Sequence, residues 1–117
     1  MSNLTSFFNA MSDETRLRIM VLLSQSELCV CQICGVLSLS QPKVSKHLAK
    51  LRDLGFVTDV RKEKFVFYSR NVNDGSITNL LEQIISNIDH YPQLKIDHER
   101  LAERDVYFRQ CKSQSHD

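Results

Sequence analysis

"SLSQPKVSKHLAKLRDLGF", Ser38–Phe56, holds a start signal, an amphipathic run and a stop signal in one short stretch. Ser40 is a good N-cap type. Pro42 falls in the first turn, where its missing N–H has no helical partner to lose. Val44, Leu48 and Leu51 recur at helical spacing, and Leu54 beside Gly55 marks the end. The stretch therefore predicts a helix that buries Val44, Leu48 and Leu51, entered through the tight connection "SLSQ". On the other side of that connection, Ile33, Val36 and Leu37 show helical spacing, so a short helix is expected to start near Cys31.

Working outward, Leu4, Phe7, Phe8 and Met11 fall on one helical face, and a second helix with Ser12 as N-cap carries Leu17, Met20, Val21 and Leu23. Asp13 and Glu14 suit its first turn, where carboxylates meet the positive end of the helix dipole. Leu28 and Val30 alternate with cysteines and suit a short extended lead-in. After Gly55 the period changes to two: "FVTDVRKEKFVFYSRNV" reads as a β-hairpin whose tip is the charged "RKEK". "ITNLLEQIISNIDHY" then gives a strongly apolar helical stripe, with Pro92 as its stop. The last stretch reads as partly helical and then frayed.

The order helix, helix, short helix, turn, helix, hairpin, helix describes a mainly α (α+β) winged helix-turn-helix, with about five to six helices and one β-hairpin wing. Its length suits one domain: 1–92 for DNA binding and dimerisation, then a C-terminal helical or partly disordered tail over 93–117. No run approaches the roughly 18 apolar residues of a membrane helix, and the N-terminus lacks the features of a signal peptide, so a cytoplasmic protein with no membrane partner is expected.

Net charge is +1 overall, yet Gln41–Arg70 holds eight basic residues against three acidic ones, a local +5. Such lopsidedness favours an anionic partner on one face, although a solvated surface would look the same residue by residue. If the Gln41–Leu54 helix enters a major groove, Gln41, Lys43, Ser45, Lys46 and His47 stand at its base-reading end; glutamine can pair with adenine and lysine can donate to guanine. His47 can equally be a phosphate contact or part of the packing. Lys50 and Arg52 suit phosphates, and Arg61, Lys62 and Lys64 at the hairpin tip suit backbone or minor groove.

Three of the four cysteines, Cys29, Cys31 and Cys34, lie within six positions. In a reducing compartment, clustered thiols favour metal or redox chemistry over a disulfide framework. Three sulfurs without histidine or carboxylate suit a soft, three-coordinate ion such as As(III) or Sb(III), whereas zinc usually takes four ligands. Cd(II), Pb(II) or Cu(I) can also use sulfur. On a helix Cys31 and Cys34 are about 60° apart, but Cys29 and Cys31 nearly oppose each other. The three sulfurs converge only if Cys29 lies outside the helix. A position near a helix N-terminus favours the thiolate of Cys31. Cys111 has no readable context; a free surface thiol is its plain reading, a fourth sulfur or an intersubunit ligand its alternatives.

"DETRLRIMVLL", "ELCVCQICGVL", "LSQPKVSKHLAKLRDLGFV" and "VRKEKFVFYS" resemble the successive blocks of ArsR-family (ArsR/SmtB) metalloregulatory repressors, over roughly Phe7 to Arg70. Within that family the cysteine block resembles the arsenic-responsive branch. The resemblance implies a homodimer that sits on operator double-stranded DNA and leaves it when As(III) or Sb(III) binds Cys29, Cys31 and Cys34 as inducer, with no organic cofactor. It also implies a dimer interface made by the first helix and the Ile77–Tyr91 helix: Leu4, Phe7, Phe8, Leu80, Leu81, Ile84, Ile85 and Ile88. The same stripe suits a monomer's core.

Asp89, His90, Asp97, His98 and Glu99 fall too late, and in the wrong spacing, for the family's other metal site. The cadmium- and lead-type branch would also draw on cysteines before Cys29, and there are none. The competing readings are a thiol redox switch or a Cd/Pb-responsive regulator on the same fold. An enzyme is disfavoured: no histidine lies near the cysteines to serve as a base, and three glycines build no phosphate loop.

Overall fold

The computed structural model describes residues 2–114. Its helices are α1 (Ser2–Met11), α2 (Glu14–Leu23), α3 (Val30–Leu37), α4 (Gln41–Asp53), α5 (Gly75–Ser86), α6 (Pro92–Arg100) and α7 (Arg104–Gln114). Two 3-10 turns, Ile88–His90 and Leu101–Glu103, flank α6. The strands are β1 (Leu28–Cys29), β2 (Val57–Lys62) and β3 (Phe65–Arg70), in the order β1-β3-β2 and antiparallel throughout. No helix among the described residues is long and apolar enough to cross a membrane.

The helix-turn-helix forms as its residues predict. Ser40 is the N-cap residue of α4 and Pro42 lies in the first turn. At the other end the Phe56 N–H donates to the Leu51 carbonyl at 2.9 Å and the Gly55 N–H to the Arg52 carbonyl at 2.9 Å. This pair of bonds is a Schellman closure, which needs a left-handed residue; Gly55 supplies it at φ +86 without a Cβ penalty. The chain is thereby turned from helix straight into the wing. Val57 pairs with Arg70 and Lys62 with Phe65, so Glu63 and Lys64 alone make the turn, Glu63 at φ 59.

Ile19, Met20, Leu22, Ile33, Val36, Val44, Leu48, Leu51, Ile77 and Leu81 are fully buried in one core. Each such aliphatic side chain contributes about 1.5–3 kcal/mol by leaving water. Helix α4 is thus held against α2, α3 and β2, while α5 packs on α2 in the same core.

Several expectations are corrected. The N-cap of α2 is Asp13, whose carboxylate accepts the Arg16 N–H at 3.0 Å, while the Ser12 hydroxyl donates back to the Asn9 carbonyl at 2.6 Å and closes α1. That Arg16 amide is the main reason the Asp13 carboxyl is held below its ordinary pKa. The amphipathic helix ends at Ser86, and Pro92 does not stop it but opens α6 in the first-turn position. The lead-in Leu28–Cys29 becomes a third strand, pairing Leu28 with Tyr68 and Cys29 with Phe67. The tail, read as partly helical, holds α6 and α7 and packs on the domain: Leu94 and Leu101 are buried, and Asp97 is paired with Arg18 of α2. That expectation, where it concerns residues beyond 114, lies outside the described residues.

The expected dimer stripe is split by burial. Phe7 and Leu81 are core residues of their own chain, with Phe7 edge-on to Phe56 at 5.5 Å, and Ile88 packs with Val21 and Leu94 over half-buried Ile84 and Ile85. Phe8 stays 54% exposed and Leu80 39%, and with Leu4 they line a groove between α1 and α5.

Candidate DNA interface and thiol site

Because Val44, Leu48 and Leu51 point inward, the opposite face of α4 presents Gln41, Lys43, Lys46, Lys50 and Arg52 to solvent, with Ser45 half-buried. Gln41 donates from Nε2 to the Ser45 hydroxyl at 3.1 Å, which orients its amide along the helix. His47 does not join this face. Val44, His47, Leu48 and Leu51 stand at i, i+3, i+4 and i+7, the inward stripe, and His47 is only 7% exposed with no partner for Nδ1 among the described residues. Burial is the main cause that lowers its pKa, against the opposing pull of Asp13.

A folded pKa below the unfolded one means that stability is complete above pH ~6.5 and falls as pH drops toward the folded value. Urea denaturation should therefore show a lower midpoint at pH 5.5 than at pH 7.5, and His47→Leu should flatten that dependence. An unchanged pH dependence in the variant would show that His47 is not the group responsible.

At the wing, Arg61 and Lys64 are exposed and, like Lys43, Lys46 and Lys50, form no ion pair among the described residues. The other two expected phosphate contacts are engaged within the chain. Arg52 lies 3.2 Å from Asp59, and Lys62 lies 2.7 Å from Glu27 and 5.1 Å over the Phe67 ring. Exposed pairs of this kind are weak enough to yield to a phosphate.

The thiols sit at the junction of sheet and helix. Cys29 is in extended backbone (φ −85, ψ 168), is the N-cap residue of α3, and donates its N–H to the Gln32 side-chain oxygen at 3.0 Å. It is 2% exposed. The backbone break demanded by the spacing of the cysteines is therefore present. Cys31 and Cys34 lie half-buried on α3, and burial, followed by the neighbouring Cys29, pushes the Cys34 thiol pKa up.

Cys111 is not a free surface thiol: it is joined to Cys31 in a disulfide, with Cα atoms 6.0 Å apart. Two cavities of about 310 Å³ each flank this bond. One is lined by Cys31, Cys34, Gly35, Gln41, Tyr107, Gln110 and Cys111, and the other by Cys29, Val30, Cys31, Lys64, Phe65, Val66 and Cys111. Among the described residues no three histidine, cysteine or carboxylate side chains stand together as a ready metal site. The donor set fits a soft, three-coordinate ion by its chemistry, and using all three α3-block thiols requires Cys31 to be released from Cys111.

A model of the family described as bacterial regulatory protein, arsR family, matches residues 13–59, which run from Asp13 before α2 to Asp59 in β2. The solved structure of reduced HlyU from Vibrio cholerae resembles this one with a TM-score of 0.65 and 31% identity, over 71% of this chain and 85% of that chain. The chain belongs to the arsR family.

The arsenical resistance operon repressor of Escherichia coli is 52% identical to this arsR-family chain over 62 residues, 52% of this chain and 53% of that protein. A cadmium resistance transcriptional regulatory protein of Listeria innocua is 37% identical over 81 residues, 68% of this chain and 66% of that protein. The chain thus spans about half the length of the Escherichia coli relative in the match. The family is described as one of bacterial regulatory proteins. The matched 13–59 segment holds the helix-turn-helix and the α3-block cysteines, while α6, α7 and Cys111 lie outside it.

The sequence carried no signal for three parts of this site: the bond of Cys111 to Cys31, the Tyr107 ring over Gly35, and the engagement of Lys62 by Glu27. Only the inward placement of His47 had a readable signal, its position in the i, i+3, i+4, i+7 stripe.

Proposed function

We propose that the chain is a transcriptional repressor that holds operator double-stranded DNA as a homodimer and releases it when As(III) or Sb(III) binds Cys29, Cys31 and Cys34. The observation that carries this reading is a shared cavity: Cys31 and Cys34 of α3 line the same space as Gln41, the first residue of the DNA-reading helix. A ligand that draws the three sulfurs together acts beside Gln41. It also disturbs the Cys29–Gln32 contact that begins α3, and α3 leads into α4 through the three residues Ser38, Leu39 and Ser40. The exchange balances as As(OH)₃ plus three thiols giving As(SR)₃ plus three waters. Phe8 and Leu80, the large apolar side chains left outside the core on α1 and α5, suit the pairing of two copies.

The similarity to the Listeria innocua cadmium regulator favours Cd(II) as a second inducer reading. The two differ in proton balance. Arsenous acid exchanges its hydroxides with neutral thiols, whereas Cd(II) must displace thiol protons and works against the raised Cys34 pKa. Cd(II) affinity is therefore expected to rise with pH more steeply than arsenite affinity between pH 6 and 8, which calorimetry at several pH values reads directly.

The deciding experiment is operator binding by gel shift, under reducing conditions, with As(III), Sb(III), Cd(II), Pb(II) and Zn(II). Arsenite or antimonite should release the wild type at concentrations that leave Cys29→Ser, Cys31→Ser and Cys34→Ser bound. Release of all three variants by arsenite would overturn the site assignment. By reciprocity, operator DNA must weaken metalloid binding by the same factor as metalloid weakens DNA binding.

A further inference from the structure

Helix α7 lies antiparallel along α3, and its register places Cys111. Gly35 of α3 faces the Tyr107 ring so closely that a Cβ there would collide with the ring carbons. One turn along both helices, Cys31 faces Cys111. The two contacts are successive rungs of one helix pair, because 31 to 35 and 111 to 107 are each four residues. Other contacts hold the rungs in place. One Arg100 nitrogen donates to the Gly35 carbonyl and to the Tyr107 hydroxyl, each at 2.8 Å, and Gln32 donates to the Arg104 carbonyl at 3.3 Å. On its other side α7 sets Phe108 against the wing, 5.1 Å from Phe65 and 5.9 Å from Phe67. The meeting of Cys111 with Cys31 is therefore built by packing, and the same helix touches both the sensing helix and the wing.

We propose that Cys31 and Cys111 form a thiol–disulfide latch that closes α7 over α3 and, while closed, withholds Cys31 from the inducer. The proposal rests on Cys31 being an inducer ligand. The Cα separation of 6.0 Å lies in the ordinary disulfide range, so the two helices as packed bring the sulfurs within bonding reach. A hydroperoxide closes the latch: two thiols and one hydrogen peroxide give one disulfide and two waters, with the sulfurs oxidised and the peroxide oxygens reduced. A small-molecule thiol opens it by exchange, two external thiols giving two protein thiols and one external disulfide. The cavities on either side of the bond give these small reagents access. With the latch closed, arsenite finds only Cys29 and Cys34 of the set.

The test uses the full-length protein reduced, oxidised with stoichiometric hydrogen peroxide, and oxidised and then reduced again, alongside Cys111→Ser treated in the same ways. Three readouts apply: non-reducing peptide mapping by mass spectrometry, iodoacetamide labelling of Cys31, and arsenite binding. The oxidised wild type should yield a peptide joining Cys31 to Cys111, lose Cys31 labelling, and bind arsenite at least about 100-fold more weakly, with full recovery on reduction. Oxidised Cys111→Ser should keep both Cys31 labelling and arsenite binding. Gly35→Ala, which retains both cysteines but pushes Tyr107 away, should slow formation of the linked peptide at least tenfold. The proposal is overturned if no such peptide forms, if the oxidised wild type binds arsenite like the reduced one, or if oxidation silences Cys111→Ser equally. If the reduced wild type itself fails to bind arsenite, the metalloid reading falls and the withholding of an inducer ligand falls with it. Mapping and labelling then still report separately whether the disulfide forms.

Discussion

Asp97→Ala is expected to lower the stability of the fold by about 3–5 kcal/mol, a large share of the total for a chain of this size. Asp97 and Arg18 meet through two bonds of 2.9 Å, with side chains 4% and 12% exposed. Gln93 adds a third donor to the carboxylate at 3.0 Å, and Arg18 also donates to the Leu37 carbonyl at 2.8 Å. Removing the carboxylate leaves a guanidinium buried without its counter-charge, and that desolvation penalty is what makes the loss large. The pair ties α6 to α2 and, through the Leu37 carbonyl, to the end of α3. Urea denaturation followed by circular dichroism measures the loss. A change below about 1 kcal/mol would mean that the pair behaves like an exposed one.

The second large effect concerns DNA. Lys50 and Lys64 are exposed, unpaired among the described residues, and placed on α4 and at the wing tip. If both meet phosphates, Lys50→Ala/Lys64→Ala removes two contacts per protomer and four per dimer. Each contact contributes about 0.9 to the slope of log affinity against log salt, so the slope should flatten by about 3.6. Over a fourfold change in salt this amounts to roughly 10²-fold in relative affinity. Specific and non-specific DNA should weaken alike, because phosphates carry no sequence information. Gln41→Ala should instead weaken the operator selectively. Arg52→Ala should do less than Lys50→Ala, since Arg52 already shares its charge with Asp59 at 3.2 Å. A double variant with an unchanged salt slope would remove these lysines from the interface.

Much of the helix-turn-helix is legible in the sequence, and the reason is locality. A cap, a proline in the first turn, a period of 3.6 and a left-handed glycine act within a few residues of one another, so Ser40, Pro42, Val44, Leu48, Leu51 and Gly55 state their roles in one short stretch. The break between Cys29 and the helix of Cys31 and Cys34 was legible for the same reason, as a matter of bond geometry over six positions. Pro92 shows how far such signals reach: the same residue type ends one helix or opens the next, and here it opens α6.

Pairings between distant parts of the chain carried no such signal. An apolar stripe demands cover but does not say whose, so Phe7 and Leu81 could be assigned to a partner until α1 and α5 were seen packed into their own core. Arg18 and Asp97 are 79 residues apart, and Cys31 and Cys111 are 80 apart. Neither residue type prefers one distant partner over another until packing has brought the helices together. From its own pattern the chain specified which segments coil, where they stop, and that three thiols cluster at the entrance to the helix-turn-helix. Folding in three dimensions settled which charges pair, which half of the apolar stripe stays outside, and that a fourth thiol stands opposite Cys31. Local backbone preferences act between near neighbours, whereas burial and long-range pairing depend on contacts that exist only once the whole core has formed.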